Sequence, residues 1–489
     1  MRAERLPLAP SPAGVRERAR RRLVGVVLAV YLLAIFEGSL RKYVLPEFGQ
    51  YIFFVRDPLL LYAYLLALRH GLWPRRSAFV QLSVAMGAIG LLLFVLQSAV
   101  GGYSDTRVLL GVYGWRSYFL YVPLAFLIGA QFTSADLLRV AKLTLLVGVP
   151  IAALVTLQFF SPMNAPINVG FAADEALQFR GIGLNAERIR PTGPFTSSAG
   201  QQQFVATASA LLLALWLTPA ARRRVATLPL MVAGAALLTC VALGGSRGTT
   251  LQCALNGAFA VLIGLIGRGA VLKAKAVLLP LGLGLAAVVL YPMVFPEGFS
   301  AFVERWNAAA AAEAGFEGGV FGRALFGFID FVRLVDDVPA LGYGLGYGGN
   351  ASITLKASVD GVMPGALAET DFARHMVDLG PAFGLAYIGF RLALVVWLGR
   401  RVWRATRRVA DPMPMMLFAY ASYVVLLGQL TGNGTINVYG WLFTGLCIAA
   451  TNVARAPAVP GPSPAALTSR RPRPPRAPRL SPLRGAAAR

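Results

Sequence analysis

Apolar runs of about 20 residues recur along the 489-residue chain, and this recurrence constrains the fold more than any other feature. A helix needs roughly 20 mostly apolar residues to cross a bilayer. Only 14% of the residues are charged, whereas soluble domains carry about 25%. The sequence therefore excludes a soluble enzyme and predicts an all-α polytopic membrane protein. The twelve predicted spans are about 23–40, 50–68, 78–100, 108–132, 142–160, 203–219, 227–245, 249–266, 276–296, 380–399, 413–431 and 437–453.

Positive charge alternates between the connections that join these runs. By the positive-inside rule, the basic connections and both termini are expected in the cytoplasm. The first run follows a basic segment without a small-residue cleavage site, so we predict a retained span rather than a signal peptide. The basic connections are Arg69 to Arg76, Arg139 to Lys142, Arg222 to Arg224, Arg268 to Lys275 and Arg400 to Arg408.

The predicted domains are two tails around the membrane domain 23–453. The tail 1–22 holds seven Arg and two Glu, and 454–489 holds eight Arg and no acid. The second tail is also rich in Pro and is predicted to be disordered. Attraction to anionic membrane lipids is its expected role, and nucleic-acid binding is not expected because no aromatic residues interleave its arginines.

Two long loops are predicted on the outward side, 161–202 and 297–379. The second holds eleven of the 22 acids of the chain. Its stretch 302–314 is Ala-rich and predicts a helix, whereas the Gly-rich run 342–349 predicts a loop. A GxGxxG pattern falls in that run, but it lacks the strand–helix frame of dinucleotide-binding folds.

Charged residues at the outward ends of spans are the candidate functional residues, because charge is costly near hydrocarbon and is usually functional or paired. Arg247 lies in a Gly-Gly-Ser-Arg-Gly turn. The residues alone are equally compatible with a functional arginine and with a tight hairpin whose guanidinium reaches the lipid headgroups. Arg190 precedes a Pro-Thr-Gly-Pro-Phe stretch, which a solvated loop would also explain. Arg323 and Arg374 complete the substrate-binding candidates.

The stretch 369–380 leads into a span and holds the candidate catalytic groups Glu369 and His375. On a helix, Glu369 would share a face with His375, and Arg374 with Asp378 at i, i+4. Carboxylate pairs at 336–337 and 369–371 could contact a divalent cation, because such cations take oxygen ligands. A histidine metal cluster is excluded, since His70 is the one other histidine, and the three cysteines lie in apolar runs. We predict neither a metal nor a cofactor.

These segments together resemble the O-antigen ligase and polysaccharide polymerase family. The resemblance covers about 185–400. It rests on Arg-Pro-Thr-Gly-Pro-Phe at 190–195, Gly-Ser-Arg-Gly at 245–248, Arg323, Pro-Ala-Leu-Gly-Tyr-Gly-Leu-Gly at 339–346 and Asp-Leu-Gly at 378–380. The family places a His-Asn pair before its final Glu-x-Gly, and Glu369-Thr370 stands in that register here, with His375 six residues away.

The resemblance implies a metal-independent, inverting glycosyltransferase with a GT-C type fold in the bacterial inner membrane. Such enzymes move a glycan from an undecaprenyl-pyrophosphate carrier to a lipid or growing polysaccharide in the synthesis of the cell envelope and exopolysaccharides. It implies that Arg190, Arg247, Arg323 and Arg374 bind the donor. Glu369 or His375 would then act as the base, with Glu369 favoured by register.

Two other functions stay open at this point. A carrier or flippase for a lipid-linked sugar or anionic solute would favour broken helices and charges near the midplane. A different lipid-carrier glycosyltransferase would use acids of the first outward loop, Glu37 or Glu47.

Overall fold

The computed structural model describes residues 12–52, 54–170, 181–182, 188–219, 223–312, 320–354, 357–359, 361–409 and 411–455. Residues 1–11 of the first predicted tail and 456–489 of the second lie outside these ranges. The described residues up to Ala454 belong to one compact unit. Apart from a two-residue antiparallel ladder of β1 (Gly181–Ile182) and β2 (Arg188–Ile189), the described elements are helical.

The helices follow the apolar runs. In chain order they are α1 (Pro12–Ser39), α2 (Gly49–Ile52), α3 (Arg56–Arg69), α4 (Ala78–Val100), α5 (Asp105–Trp115), α6 (Val122–Gln131), α7 (Ser134–Phe160), α8 (Ser198–Leu217), α9 (Thr227–Leu243), α10 (Arg247–Ile266), α11 (Ala270–Val294), α12 (Pro296–Ala312), α13 (Val320–Ile329), α14 (Asn350–Thr354), α15 (Pro364–Leu367), α16 (Asp371–Arg408), α17 (Met413–Leu427) and α18 (Gly434–Arg455).

Seven of the described helical segments are long and apolar enough to cross a membrane. This confirms an all-α protein with membrane-spanning character, while the number of twelve spans stays a prediction. Each predicted span nevertheless overlaps at least one helix. The seven segments are Ala13–Val44, Ala78–Val100, Ser134–Phe160, Arg247–Ile266, Ala270–Val294, Asp371–Arg408 and Gly434–Arg455.

The basic connections lie together at one end of the bundle, which we call the basic end. Gln131 donates a 2.7 Å hydrogen bond to the backbone oxygen of Leu72. Arg401 donates to Asn452 near the last described residue. A capping box begins α7 here, since the Thr133 hydroxyl and the Asp136 carboxylate each accept from the other's backbone N–H. The contacts therefore join connections that the charge pattern assigns to one side.

The long loops meet at the opposite end, which we call the loop end. Tyr43 donates a 2.7 Å hydrogen bond to the backbone oxygen of Ile167, and Arg188 lies 2.5 Å from a carboxylate oxygen of Glu297. Helix α12 covers 296–312, so the predicted helix in this loop is confirmed over its described part. Which end faces the cytoplasm stays a prediction.

Candidate functional site

Helix α16 is broken near its start at the loop end. Its N-cap is Thr370, whose side chain accepts a 3.2 Å hydrogen bond from the backbone N–H of Ala373. Gly380 has φ 75° and ψ 168°, a combination that is open almost only to glycine, and Pro381 follows it. The break separates the segment 371–380 from the long span, and all ten residues of that segment are buried.

Asp371, the first residue of this segment, joins three parts of the chain. It forms an ion pair with Arg391 in the long part of α16 and lies 3.7 Å from Arg374. The backbone N–H groups of Leu430 and Thr431 each donate to it at 3.1 Å, and the Thr431 hydroxyl donates at 2.8 Å. A buried charge is tolerated when it is paired and hydrogen-bonded, so these contacts explain the burial of Asp371.

His375 is fully buried and both of its ring nitrogens have partners. Arg391 lies 2.8 Å from Nε2, and the Tyr118 hydroxyl lies 3.1 Å from Nδ1. Because a guanidinium only donates, Nε2 must accept and Nδ1 carries the proton. Nδ1 then donates to Tyr118, whose hydroxyl donates at 3.0 Å to Asp378. The four side chains form one directed chain of hydrogen bonds.

The Gly-rich run packs directly against the segment 371–380. The backbone N–H of Gly348 donates to Asp378 at 2.6 Å, and Arg374 donates to the backbone oxygen of Gly348 at 2.8 Å. The backbone N–H of Tyr343 donates to the oxygen of Val377 at 2.8 Å. The predicted loop is confirmed, and its backbone forms one side of the candidate site.

Gln97 of α4 holds the same two segments together, and it is not among the candidate residues predicted from the sequence. Its amide nitrogen donates to the backbone oxygens of Leu341 at 2.6 Å and Asp378 at 2.8 Å. Its amide oxygen accepts from the backbone N–H of Leu345 at 3.0 Å. The one sequence signal for this role is a polar glutamine inside an apolar run. The buried Tyr118 has a similar signal, since its polar hydroxyl also lies within an apolar run.

Glu369 lies outside the helix, so the prediction that it shares a helical face with His375 is wrong. The helix begins only at Asp371, and Glu369 is exposed in the turn before it. The predicted pair of Arg374 with Asp378 is absent from the ion pairs of these described residues, because Arg374 turns to Asp371 and Gly348 instead. The carboxylate pair 369–371 therefore offers only Glu369 to a divalent cation, because Asp371 is paired with Arg391.

Arg190 is half-buried in a segment that α1 and α7 hold in place. Lys42 of the turn after α1 donates at 3.0 Å to the Thr192 hydroxyl and at 3.0 Å to the backbone oxygen of Gly193. Gln158 at the end of α7 accepts from the Gly193 N–H at 2.8 Å. The segment that contains Arg190 is therefore fixed at the loop end.

Arg247 is the first residue of α10, also at the loop end. Gly245 with φ 53° turns the chain, and the Ser246 side chain caps the helix by accepting from the Thr249 N–H at 3.3 Å. The guanidinium of Arg247 lies 5.9 Å from the ring centroid of Trp306 in α12, within the range of a cation–π contact.

Arg323 lies on α13, but its side chain is outside the described residues. Arg333, ten positions further along the loop, pairs with Asp330 and donates to the backbone oxygen of Leu367 at 3.0 Å. The hydrogen bond with Asp330 raises the pKa of Arg333 above its usual value. The loop that contains Arg333 is thus linked to the turn before α16.

A second cluster of buried charges lies at the start of the chain. Glu37 lies 2.8 Å from Arg56 and 3.5 Å from Arg41. Asp57 forms an ion pair with Arg116 and accepts a 2.8 Å hydrogen bond from a tyrosine of the same region, Tyr121. Glu37 is also one of the two acids that a different lipid-carrier glycosyltransferase would use. The ion pairs of this cluster join α1, α3 and Arg116, the residue that follows α5.

Tyr113 connects this cluster with the Gly-rich run. A side chain at Gly349 would begin 3.8 Å from its ring. The guanidinium groups of Arg56, Arg116 and Arg374 all lie within electrostatic range of its hydroxyl. The two buried charge clusters therefore adjoin each other at the loop end.

Metal ligands do not gather in the described ranges. No group of three or more His, Cys, Asp or Glu side chains lies close enough there to hold a metal ion. The three cysteines are free thiols in apolar surroundings.

No protein-family model matches this chain, and no curated protein matches it either. The resemblance to the O-antigen ligase and polysaccharide polymerase family therefore rests on residues of this chain alone.

Proposed function

We propose that the protein is a membrane glycosyltransferase that moves a glycan from an undecaprenyl-pyrophosphate carrier to a lipid or polysaccharide acceptor. It would act in the bacterial inner membrane, with the loop end outside and both termini in the cytoplasm. One observation carries the proposal. Two segments that resemble family motifs, 339–346 and 378–380, lie so close together that a Cβ at Gly342 would be 2.7 Å from the backbone nitrogen of Gly380. Arg374 lies beside them, donating to the backbone oxygen of Gly348.

Arginines would hold the donor pyrophosphate. A guanidinium stays charged and grips phosphate with two parallel hydrogen bonds, and such groups stabilise a departing pyrophosphate without a metal. We assign this role to Arg190, Arg247, Arg323 and Arg374. Arg190 and Arg247 are both half-buried at the loop end, where a headgroup-level phosphate would arrive. Arg374 projects from the buried segment that faces the Gly-rich run.

Glu369 is the general base that the geometry favours. It is exposed before α16 and can approach an acceptor hydroxyl, whereas both nitrogens of His375 already have partners. In the proposed step the acceptor oxygen attacks the anomeric carbon, and its proton passes to Glu369. The bond from that carbon to the pyrophosphate oxygen breaks, and its electrons leave with the carrier pyrophosphate. One displacement inverts the anomeric centre. His375 is assigned a positioning role.

Transfer by purified protein tests this assignment. Glu369→Gln protein, given a lipid-pyrophosphate-linked glycan and its acceptor, is expected to bind the donor but to transfer at least about a hundredfold more slowly. Asp336→Asn is the matched control, because Asp336 is an exposed acid of the same loop. Near-normal transfer by Glu369→Gln, with loss in His375→Ala, would give the base role to His375.

A carrier or flippase is the second candidate, and the break at Gly380 favours it. Interrupted helices with buried charges line substrate sites in many transporters. Movement of a labelled lipid-linked sugar across proteoliposomes, without formation of a new glycosidic bond, would support the carrier and contradict the transferase.

A further inference from the structure

Four arginines from two distant segments line one recess at the basic end. Arg268 comes from the connection between α10 and α11, and Arg404, Arg407 and Arg408 come from the last two turns of α16. Together with Trp403 they line an open surface cavity of about 250 Å³. We call this cavity the arginine recess.

Like charges in the recess repel one another. On α16, Arg404 has Arg407 at i+3 and Arg408 at i+4, spacings at which equal charges destabilise a helix. No ion pair joins these four arginines to an acid within the described part of the chain, and the recess lining contains no carboxylate. The dipole at the end of α16 accounts for a favourable Arg407 or Arg408. It does not account for Arg268, which belongs to another segment.

The position of the recess indicates what offsets this repulsion. It lies at the end of Asp371–Arg408, one of the candidate spans, and so at the depth of lipid headgroups. Trp403 beside it is 43% exposed, and tryptophan is typical of the membrane–water interface. Guanidinium groups bind phosphate through paired hydrogen bonds, and basic pockets between membrane helices bind polyanionic lipid headgroups.

We propose that the arginine recess binds the headgroup of an anionic phospholipid and prefers a headgroup with two phosphates over one with a single phosphate. Four guanidinium groups from two segments can bind two phosphates at once. A lipid with a single phosphodiester cannot contact all four. This site is separate from the loop end and does not depend on the proposed transferase activity.

Lipid binding to the full-length protein in detergent tests the proposal. Native mass spectrometry would follow titration with diphosphatidylglycerol, phosphatidylglycerol and phosphatidylcholine. We expect the strongest binding for diphosphatidylglycerol, with an affinity at least about tenfold lower in the Arg404→Gln/Arg407→Gln variant. Arg400→Gln is the matched control, since Arg400 is exposed on the same helix but does not line the recess.

A second variant, Arg268→Gln, changes the other segment and keeps the test independent of the folding of α16. This variant is also expected to lower the affinity, most of all for diphosphatidylglycerol. Equal binding by the double variant and Arg400→Gln would overturn the proposal, and so would equal binding of the three lipids. Inorganic pyrophosphate separates the two sources of phosphate. Displacement of the lipid at equal concentrations would assign the recess to a soluble anion instead.

Discussion

The side-chain amide of Gln97 donates a 2.8 Å hydrogen bond to the backbone oxygen of Asp378, 281 residues further along the chain. The same amide also holds Leu341 and Leu345. One side chain of α4 thus fixes the distance between the Gly-rich run and the broken start of α16. The candidate site depends on a residue that carries no chemistry of its own.

Gln97→Leu is expected to loosen this junction. Three backbone groups would lose a buried partner, at a cost of about 1–3 kcal/mol each, so the Gly-rich run should become sensitive to protease and the melting temperature should fall. Gln81→Leu on the same helix is the control, because Gln81 is exposed. Equal protease resistance in both variants would contradict the role of Gln97.

Gly380→Ala is expected to destabilise the protein by about 1–3 kcal/mol through backbone strain alone. The Cβ would also collide with the backbone oxygen of Ala340. Gly389→Ala serves as control, since Gly389 lies on the same helix with open space around it and alanine favours helices. Thermal unfolding in detergent should separate the two variants. An unchanged melting temperature for Gly380→Ala would mean that the break is not required.

Tyr118→Phe keeps the ring and removes the hydroxyl between His375 and Asp378. Both groups would lose a buried hydrogen bond, and stability should fall by about 1–3 kcal/mol. Tyr103→Phe, at a position that is 80% exposed, should leave stability unchanged. Chemical unfolding measured by intrinsic fluorescence would compare them, and identical midpoints would show that the chain of hydrogen bonds contributes nothing.

Arg247→Lys is expected to reduce glycan transfer by about a hundredfold, because an ammonium does not reproduce the guanidinium fork. Arg139→Lys is the control, since the Arg139 side chain is 64% exposed at the basic end. Initial rates with a saturating acceptor would measure the difference. Full activity of Arg247→Lys would remove Arg247 from the donor site.

Membrane orientation has its own test. A reporter fused after Arg408 is expected to read cytoplasmic, and one inserted near Ala311 is expected to read extracytoplasmic, because basic connections stay inside. A cytoplasmic reading at Ala311 would place the loop end on the wrong side of the membrane for transfer to an external acceptor.

Sequence patterns predicted the helical membrane character, the helix in the outward loop and the Gly-rich loop, because hydropathy and glycine content act locally. They did not predict which side chains meet. The start of α16 depends on the Thr370 cap and on Asp371, whose partners lie at 391 and 430–431. A periodic pattern extended back to Glu369 contains no information on such distant contacts, which is why the shared face of Glu369 and His375 was wrong.

Helix α11 has a consequence for how this sequence can diverge. None of its apolar window is fully buried within the protein, and most of its residues are exposed, so in a membrane most of this helix would face lipid. Selection on this helix acts on hydrophobicity and length rather than on side-chain packing. Exchanges among Leu, Val, Ile and Met should therefore accumulate with little effect. Segment 371–380 is buried throughout. Its sequence should by contrast diverge much more slowly than that of α11.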